Sequence, residues 1–146
     1  MATLTLQLSN HQRRDPVPLP WLARFARRAV DALRIRRRGA LCVAFIDSRT
    51  MRALNKRFTH HTGLTDVLSF NYAEDAIVGE ILVSPAFARQ YATQHRLSYR
   101  QELARYVAHG LLHWLGHDDR TPREQSAMRR REDRLLTACL PKAARR

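Results

Sequence analysis

Two histidines four residues apart, His109 and His113, open a run that reads His-Gly-Leu-Leu-His-Trp-Leu-Gly-His-Asp-Asp and ends at Asp119. On a helix that spacing separates side chains by about 40° of rotation and about 6 Å of rise. Both imidazoles then face one side, which suits a single metal ion. Gly116 follows three residues later, where a glycine in the left-handed conformation can end a helix. The chain can then fold back and offer Asp119, or His117, as a third ligand. Three protein ligands leave a tetrahedral ion one position for water, the arrangement of a catalytic centre rather than a structural one. Leu112, Trp114 and Leu115 make the helix apolar, and unpartnered imidazoles in such surroundings are costly. The run therefore predicts a catalytic metal site.

The reaction such a site runs turns on Gly110. In zinc peptidases of the HExxH type, the residue after the first histidine is a glutamate that serves as general base. Glycine cannot take a proton, so that mechanism is excluded. Phosphodiester cleavage asks for other help. An ion polarises a phosphoryl oxygen or lowers the pKa of bound water, while guanidinium groups stabilise charge on the phosphate oxygens. Asp118, Glu80 and metal-bound hydroxide are the open choices for a base, and a 2′-hydroxyl nucleophile would need no activated water.

The charge balance points towards the same substrates. There are 26 basic against 13 acidic residues, a net charge of +13, and only Lys56 and Lys142 among the basic residues are lysines. Such an excess favours polyanions, and RNA is the favoured partner for a metal-site enzyme of this size. The stretch from Arg24 to Arg38 alone holds seven arginines and one aspartate, either a solvated face or a contact for an RNA backbone. At 146 residues the expectation is one domain over 1–146, with its core at about 3–139 and a basic tail at 140–146. No apolar run approaches the ~20 residues of a membrane span. Neither a charged leader nor a long apolar stretch opens the chain, so no membrane partner and a cytoplasmic location are expected. Cys42 and Cys139 read as core thiols in a reducing compartment.

The elements that must hold the site follow from periodicity. Thr3 to Leu8 alternates as a half-buried strand, and Pro16, Pro18 and Pro20 make a stiff lead into a helix from Trp21 to about Ile35. Leu22, Phe25, Ala29 and Leu33 form the apolar stripe of that helix. Leu41 to Ile46 reads as a strand buried on both faces, after which Asp47 or Ser48 caps a helix to about Phe58 with Met51 and Leu54 inward. Thr59 to Gly63 is a loop carrying His60 and His61 in solvent. Asp66 to Tyr72 and Gly79 to Ser84 are strands joined by a turn over Ala73 to Val78, and Pro85 starts a helix to about Gln94. Ser98 with Gln101 has the spacing of a cap for the central helix, whose apolar surface is Leu103, Val107, Leu111 and Leu112. Thr121 with Glu124 caps a last helix, with Met128, Leu135 and Ala138 inward. Its outer face is assigned Arg129, Arg130, Arg131 and Arg134, tempered by Glu132 and Asp133. Lys142, Arg145 and Arg146 make the tail.

The histidine run resembles the HGxLHxxGxDH signature of the YbeY family of rRNA-maturation endoribonucleases, metal-dependent proteins of zincin-like architecture. Leu64 to Phe70 is similar to that family's TDVLSF segment, and Gly79 to Ser84 to its GDIxIS strand, so the likeness covers roughly Thr3 to Cys139. It implies an α+β fold, a four-stranded mixed sheet packed with about five helices, with the metal cleft between the central helix and the sheet edge. It also implies a single-strand-preferring endoribonuclease of rRNA processing and ribosome quality control, acting with ribosomal particles. Zinc is the implied ion, nickel or iron being acceptable to the same donors, and His109, His113 and Asp119 are the implied ligands. Asp119 stands where the family has a third histidine; a carboxylate binds zinc at a similar length and should lower the Lewis acidity of the ion. Thr59 aligns with a family arginine, and the nearest arginine, Arg57, is the candidate to replace it in catalysis. The rival of another class is a non-catalytic RNA-binding assembly factor with a structural metal, its shell closed by a fourth ligand such as His117.

Overall fold

The computed structural model describes residues 4–59, 65–72 and 76–141. The alternating N-terminal stretch forms β1 (Leu4–Asn10) and the apolar run after Arg38 forms β2 (Gly39–Phe45). With β3 (Val67–Asn71) and β4 (Ile77–Val83) they make a sheet in the order β1-β2-β4-β3. β1 runs parallel to β2 and β2 to β4, while β3 is antiparallel to β4, so the sheet is mixed as expected. Five helices accompany it: α1 (Leu19–Ala32), α2 (Ser48–Thr59), α3 (Pro85–His95), α4 (Tyr99–Trp114) and α5 (Pro122–Cys139). The architecture is the α+β fold read from the sequence. His60, His61 and Leu64, the turn at 73–75 and the tail at 142–146 lie outside the described residues.

Side-chain chemistry sets the helix ends. The Asp47 carboxylate accepts from the Thr50 amide at 2.7 Å, the Ser84 hydroxyl from Phe87 at 3.2 Å, and the Ser98 hydroxyl from Gln101 at 3.2 Å. Thr121 and Glu124 cap each other reciprocally at 3.1 and 3.0 Å. α1 stops at Ala32, short of Ile35, because Leu33 caps it and Arg34 takes a left-handed φ of 53°.

α4 lies at the centre of the core, with Leu103, Val107, Leu111 and Leu112 fully buried against α1 and one face of the sheet. β2 departs from expectation: Leu41, Val43 and Phe45 are buried, but Cys42 and Ala44 on its other face are half-buried. The cause is a smaller apolar cluster on that side, Ile46, Met51, Leu68 and Leu82, which covers the face incompletely. Cys42 is accordingly no core thiol and points its Sγ at Gln7 Oε1, 3.5 Å away; Cys139 is buried. Ala138 is exposed rather than inward, its place taken by Leu136 and Cys139. Leu115 is exposed too, at the end of α4.

Two glycines bring α4 down onto the sheet. A Cβ at Gly110 would stand 2.4 Å from Ile81 Cγ2, and one at Gly79 would stand 2.3 Å from Trp114 Nε1. The closeness lets Ser69 Oγ donate to the Gly110 carbonyl at 2.9 Å, Asn71 Nδ2 to the Trp114 carbonyl at 2.9 Å, and the Trp114 indole to Val78 at 3.0 Å. Alanine at 110 would gain helix propensity of about 1 kcal/mol. It would also push into the stiff branched side chain of a fully buried isoleucine, at about 1–3 kcal/mol. The expected result of Gly110→Ala is net destabilisation of up to about 2 kcal/mol in urea unfolding; a raised midpoint would contradict the close packing.

Candidate metal centre

The histidine helix ends as its glycine spacing requires. Gly116 has φ of 101°, its N–H reaches the His113 carbonyl at 2.9 Å, and the His117 N–H reaches the Leu112 carbonyl at 3.0 Å. These are the paired bonds of a Schellman stop, and they turn the chain back so that Asp119 returns to the histidines. Asp119 Oδ2 lies 3.4 Å from His109 Nε2 and 3.3 Å from His113 Nε2, and all three donor atoms fall within 4.8 Å of one another.

Those distances discriminate between two kinds of contact. A charge-assisted hydrogen bond between imidazole and carboxylate spans about 2.7–2.9 Å. Donors at about 2.0–2.1 Å from a tetrahedral ion stand about 3.4 Å apart. The two separations from Asp119 match the second geometry, so the cluster could hold a metal ion.

A direct hydrogen bond is present on the far side of His109. Its Nδ1 lies 2.6 Å from Glu132 Oε2; since a carboxylate only accepts, Nδ1 carries a proton, and in the neutral ring Nε2 then keeps the lone pair. Glu132 is 5% exposed, and its other oxygen takes Arg105 at 3.0 Å. Arg105 also bonds Asp133 at 2.8 Å and stands 3.8 Å from Glu102. Burial alone would lower the His109 pKa, but the Glu132 bond and the charges of Glu132, Asp66 and Asp119 outweigh it and raise it. Glu102 shifts upward chiefly because it is buried, with Arg105, Arg129 and Tyr106 opposing.

Glu132 corrects the sequence reading, which placed it on the solvated face of the last helix. It lies on the stripe Met128, Glu132, Leu135, Cys139, whose spacing is that of the buried face. A carboxylate on an apolar stripe needs a buried partner. That was the available signal.

The other candidates separate clearly. His117 does not join the convergent group; its ring is half-buried, and desolvation, then Arg131 and His113, lower its pKa. Asp118 is exposed, and Glu80 accepts from the Tyr72 hydroxyl at 3.0 Å on the sheet. Arg57 is exposed on the last turn of α2, its guanidinium 5.3 Å over the Phe58 ring. A cavity of about 330 Å³ adjoins His109 and Asp119, and Arg57 does not line it. Its walls come from α3, α4 and α5, with Asp66 at the start of β3 as the contribution from the sheet edge. The cleft is thus chiefly between helices, because the glycine contact closes α4 against the sheet.

A four-stranded mixed sheet, a helix carrying HxxxH laid across it, and a carboxylate returned by the following turn define an α+β protein with a His/His/Asp cluster that could hold a metal ion. The family model described as Endoribonuclease YbeY matches residues 7–139, and the chain belongs to that family. The Endoribonuclease YbeY of Salinibacter ruber is 38% identical over 111 residues, 69% of this chain and 71% of that protein. The Rhodopirellula baltica protein of the same name is 40% identical over 99 residues, 65% of this chain and 51% of its own length. The Myxococcus xanthus protein is 33% identical over 141 residues, 91% of this chain but 47% of its own length. In fold, the chain is similar to the solution structure of TM1509 from Thermotoga maritima, with a TM-score of 0.65, 20% identity, and coverage of 92% of this chain and 89% of that one.

Proposed function

We propose that this protein is a metal-dependent endoribonuclease that cuts single-stranded RNA in rRNA maturation, with one zinc ion held by His109, His113 and Asp119. The observation that carries the reading is the 3.3–3.4 Å spacing of Asp119 Oδ2 from two imidazole nitrogens. Membership of a family described as endoribonucleases supports the RNA substrate, and the net charge of +13 supports a polyanionic one. A role in ribosome quality control and contact with ribosomal particles are proposed from kinship, and a cytoplasmic site of action is proposed with them. Among the described residues no helix is long and apolar enough to cross a membrane.

When bound, the ion would supply Lewis acidity towards a phosphoryl oxygen or an attacking water. The residues prepare for it. Glu132 fixes the His109 tautomer, and the Asp119 carboxylate offsets part of the cationic charge. Arg129, exposed at the wall of the adjoining cavity, is placed to meet a phosphate oxygen. Arg57, outside that cavity, is proposed as a further phosphate contact. Two imidazoles and a carboxylate suit zinc, and nickel or iron would also be accepted. A structural metal would want a fourth protein ligand, and His117, the nearest choice in sequence, does not join the group; this favours the enzyme over the non-catalytic assembly factor.

Chelation of the purified protein is expected to abolish cleavage of a single-stranded RNA oligomer, and added zinc to restore it. Cleavage indifferent to chelator would sink the reading. RNA binding should also weaken steeply between low and physiological salt.

A further inference from the structure

The cavity beside the cluster is lined by more acidic than basic side chains, so its interior does not suit a phosphate, whatever Arg129 offers to one at the cluster. Asp66, Glu102, Asp119 and Glu132 line it against Arg105 and Arg129, and Arg105 is already engaged by Glu132 and Asp133. A divalent ion at the cluster would bring the walls to neutrality at most. The rest of the lining is Phe87, Tyr91, Tyr106 and Met128, with His109 and Gln125 as further polar groups. Tyr91 is held by stacking on His95 at 3.9 Å with 19° between the rings, and Phe87 lies 6.1 Å from Tyr106. At about 330 Å³ the space is within the ~300–1,000 Å³ of small-ligand sites.

Flat aromatic walls interleaved with the carboxylates of Asp66 and Glu102 and the amide of Gln125 suit a neutral heteroaromatic ring bearing amino groups. We propose that this cavity receives one unstacked nucleobase of the RNA strand, the base next to the phosphate that sits at His109, His113 and Asp119. The inference rests on the reading of the site as an RNA-cleaving one and adds its substrate subsite. It also supplies a physical cause for single-strand preference. A paired base would have to leave its stack to enter, whereas a base in a flexible strand is already free to do so. Tyr91 is half-buried in the pocket, as is Phe87, and serves as a positioning residue for the base.

The test is a set of RNA oligomers carrying one abasic nucleotide at successive positions, used on the full-length protein in two assays. Binding is read by fluorescence anisotropy with chelator present, and cleavage with zinc restored. The expected result is a loss of about 10- to 100-fold in affinity and in kcat/KM at one position beside the scissile phosphate, with neighbouring positions nearly unchanged. Tyr91→Ala should lose a similar factor on intact RNA and little more on the abasic one, while Tyr91→Phe stays near the parent. A flat abasic scan in binding, or no binding, overturns the pocket. If the scan is flat but intact RNA is still cut in a zinc-dependent way, the endoribonuclease reading stands without it. If nothing is cut but the binding scan shows its one sensitive position, the pocket stands and the catalytic reading fails.

Discussion

Replacing His113 by alanine is expected to lower RNA cleavage by about 10³-fold or more while leaving the fold in place. The two parts of that expectation have separate causes. His113 has its side chain 28% exposed at the end of α4, with Asp119 Oδ2 at 3.3 Å and the His109 ring edge-on at 4.5 Å. Truncation therefore opens no core cavity, and the unfolding midpoint of chelated protein should move by no more than a few degrees, a change of about 1 kcal/mol or less. The donor set, by contrast, falls from three atoms to two, too few to hold a zinc ion against solvent. Elemental analysis should find the variant depleted of metal after dialysis, alongside the lost activity. A variant that keeps its metal and its rate would mean that the ion is held elsewhere.

The candidate cluster was legible because it is local. His109, His113, Gly116 and Asp119 lie within eleven consecutive residues, and a single helix with one glycine stop fixes their relation. Elements were legible for a similar reason: the periodicity of α1 and α4 and the caps at Asp47, Ser98 and Thr121 are short-range signals. What sequence reasoning missed depends on contacts across the fold. Glu132 meets His109 from 23 positions away, and nothing in the local pattern of α5 names its partner. Gly110 was read as an absent general base. The structure adds that its place holds no side chain at all, since Ile81 occupies the space a peptidase glutamate would need to cross. The half-covered outer face of β2 was likewise invisible, because an apolar run reads the same whether one or both faces are packed.

Glu132 should be the residue outside the ligand set whose loss is felt most. Alanine there is expected to weaken zinc binding about 10- to 100-fold, the usual effect of removing the partner that orients a histidine ligand. Without the bond to Nδ1, the imidazole is free to rotate and to place its proton on either nitrogen, so only part of the population offers a lone pair at Nε2. The same substitution unbalances Arg105, whose side chain is 14% exposed and which keeps Asp133 at 2.8 Å and Glu102 at 3.8 Å. Breaking a buried pair from one side costs about 3–5 kcal/mol, and the surviving partners should hold the loss near the lower end. Glu132→Gln separates the two effects. Its amide oxygen can still accept from His109, but its amino group then faces the Arg105 guanidinium, donor against donor. The glutamine variant should thus recover much of the zinc affinity, measured by competition with a chromophoric chelator, while remaining destabilised in urea. If the alanine variant instead binds zinc as tightly as the parent, the orienting role of Glu132 is wrong and its burial beside His109 serves the fold alone.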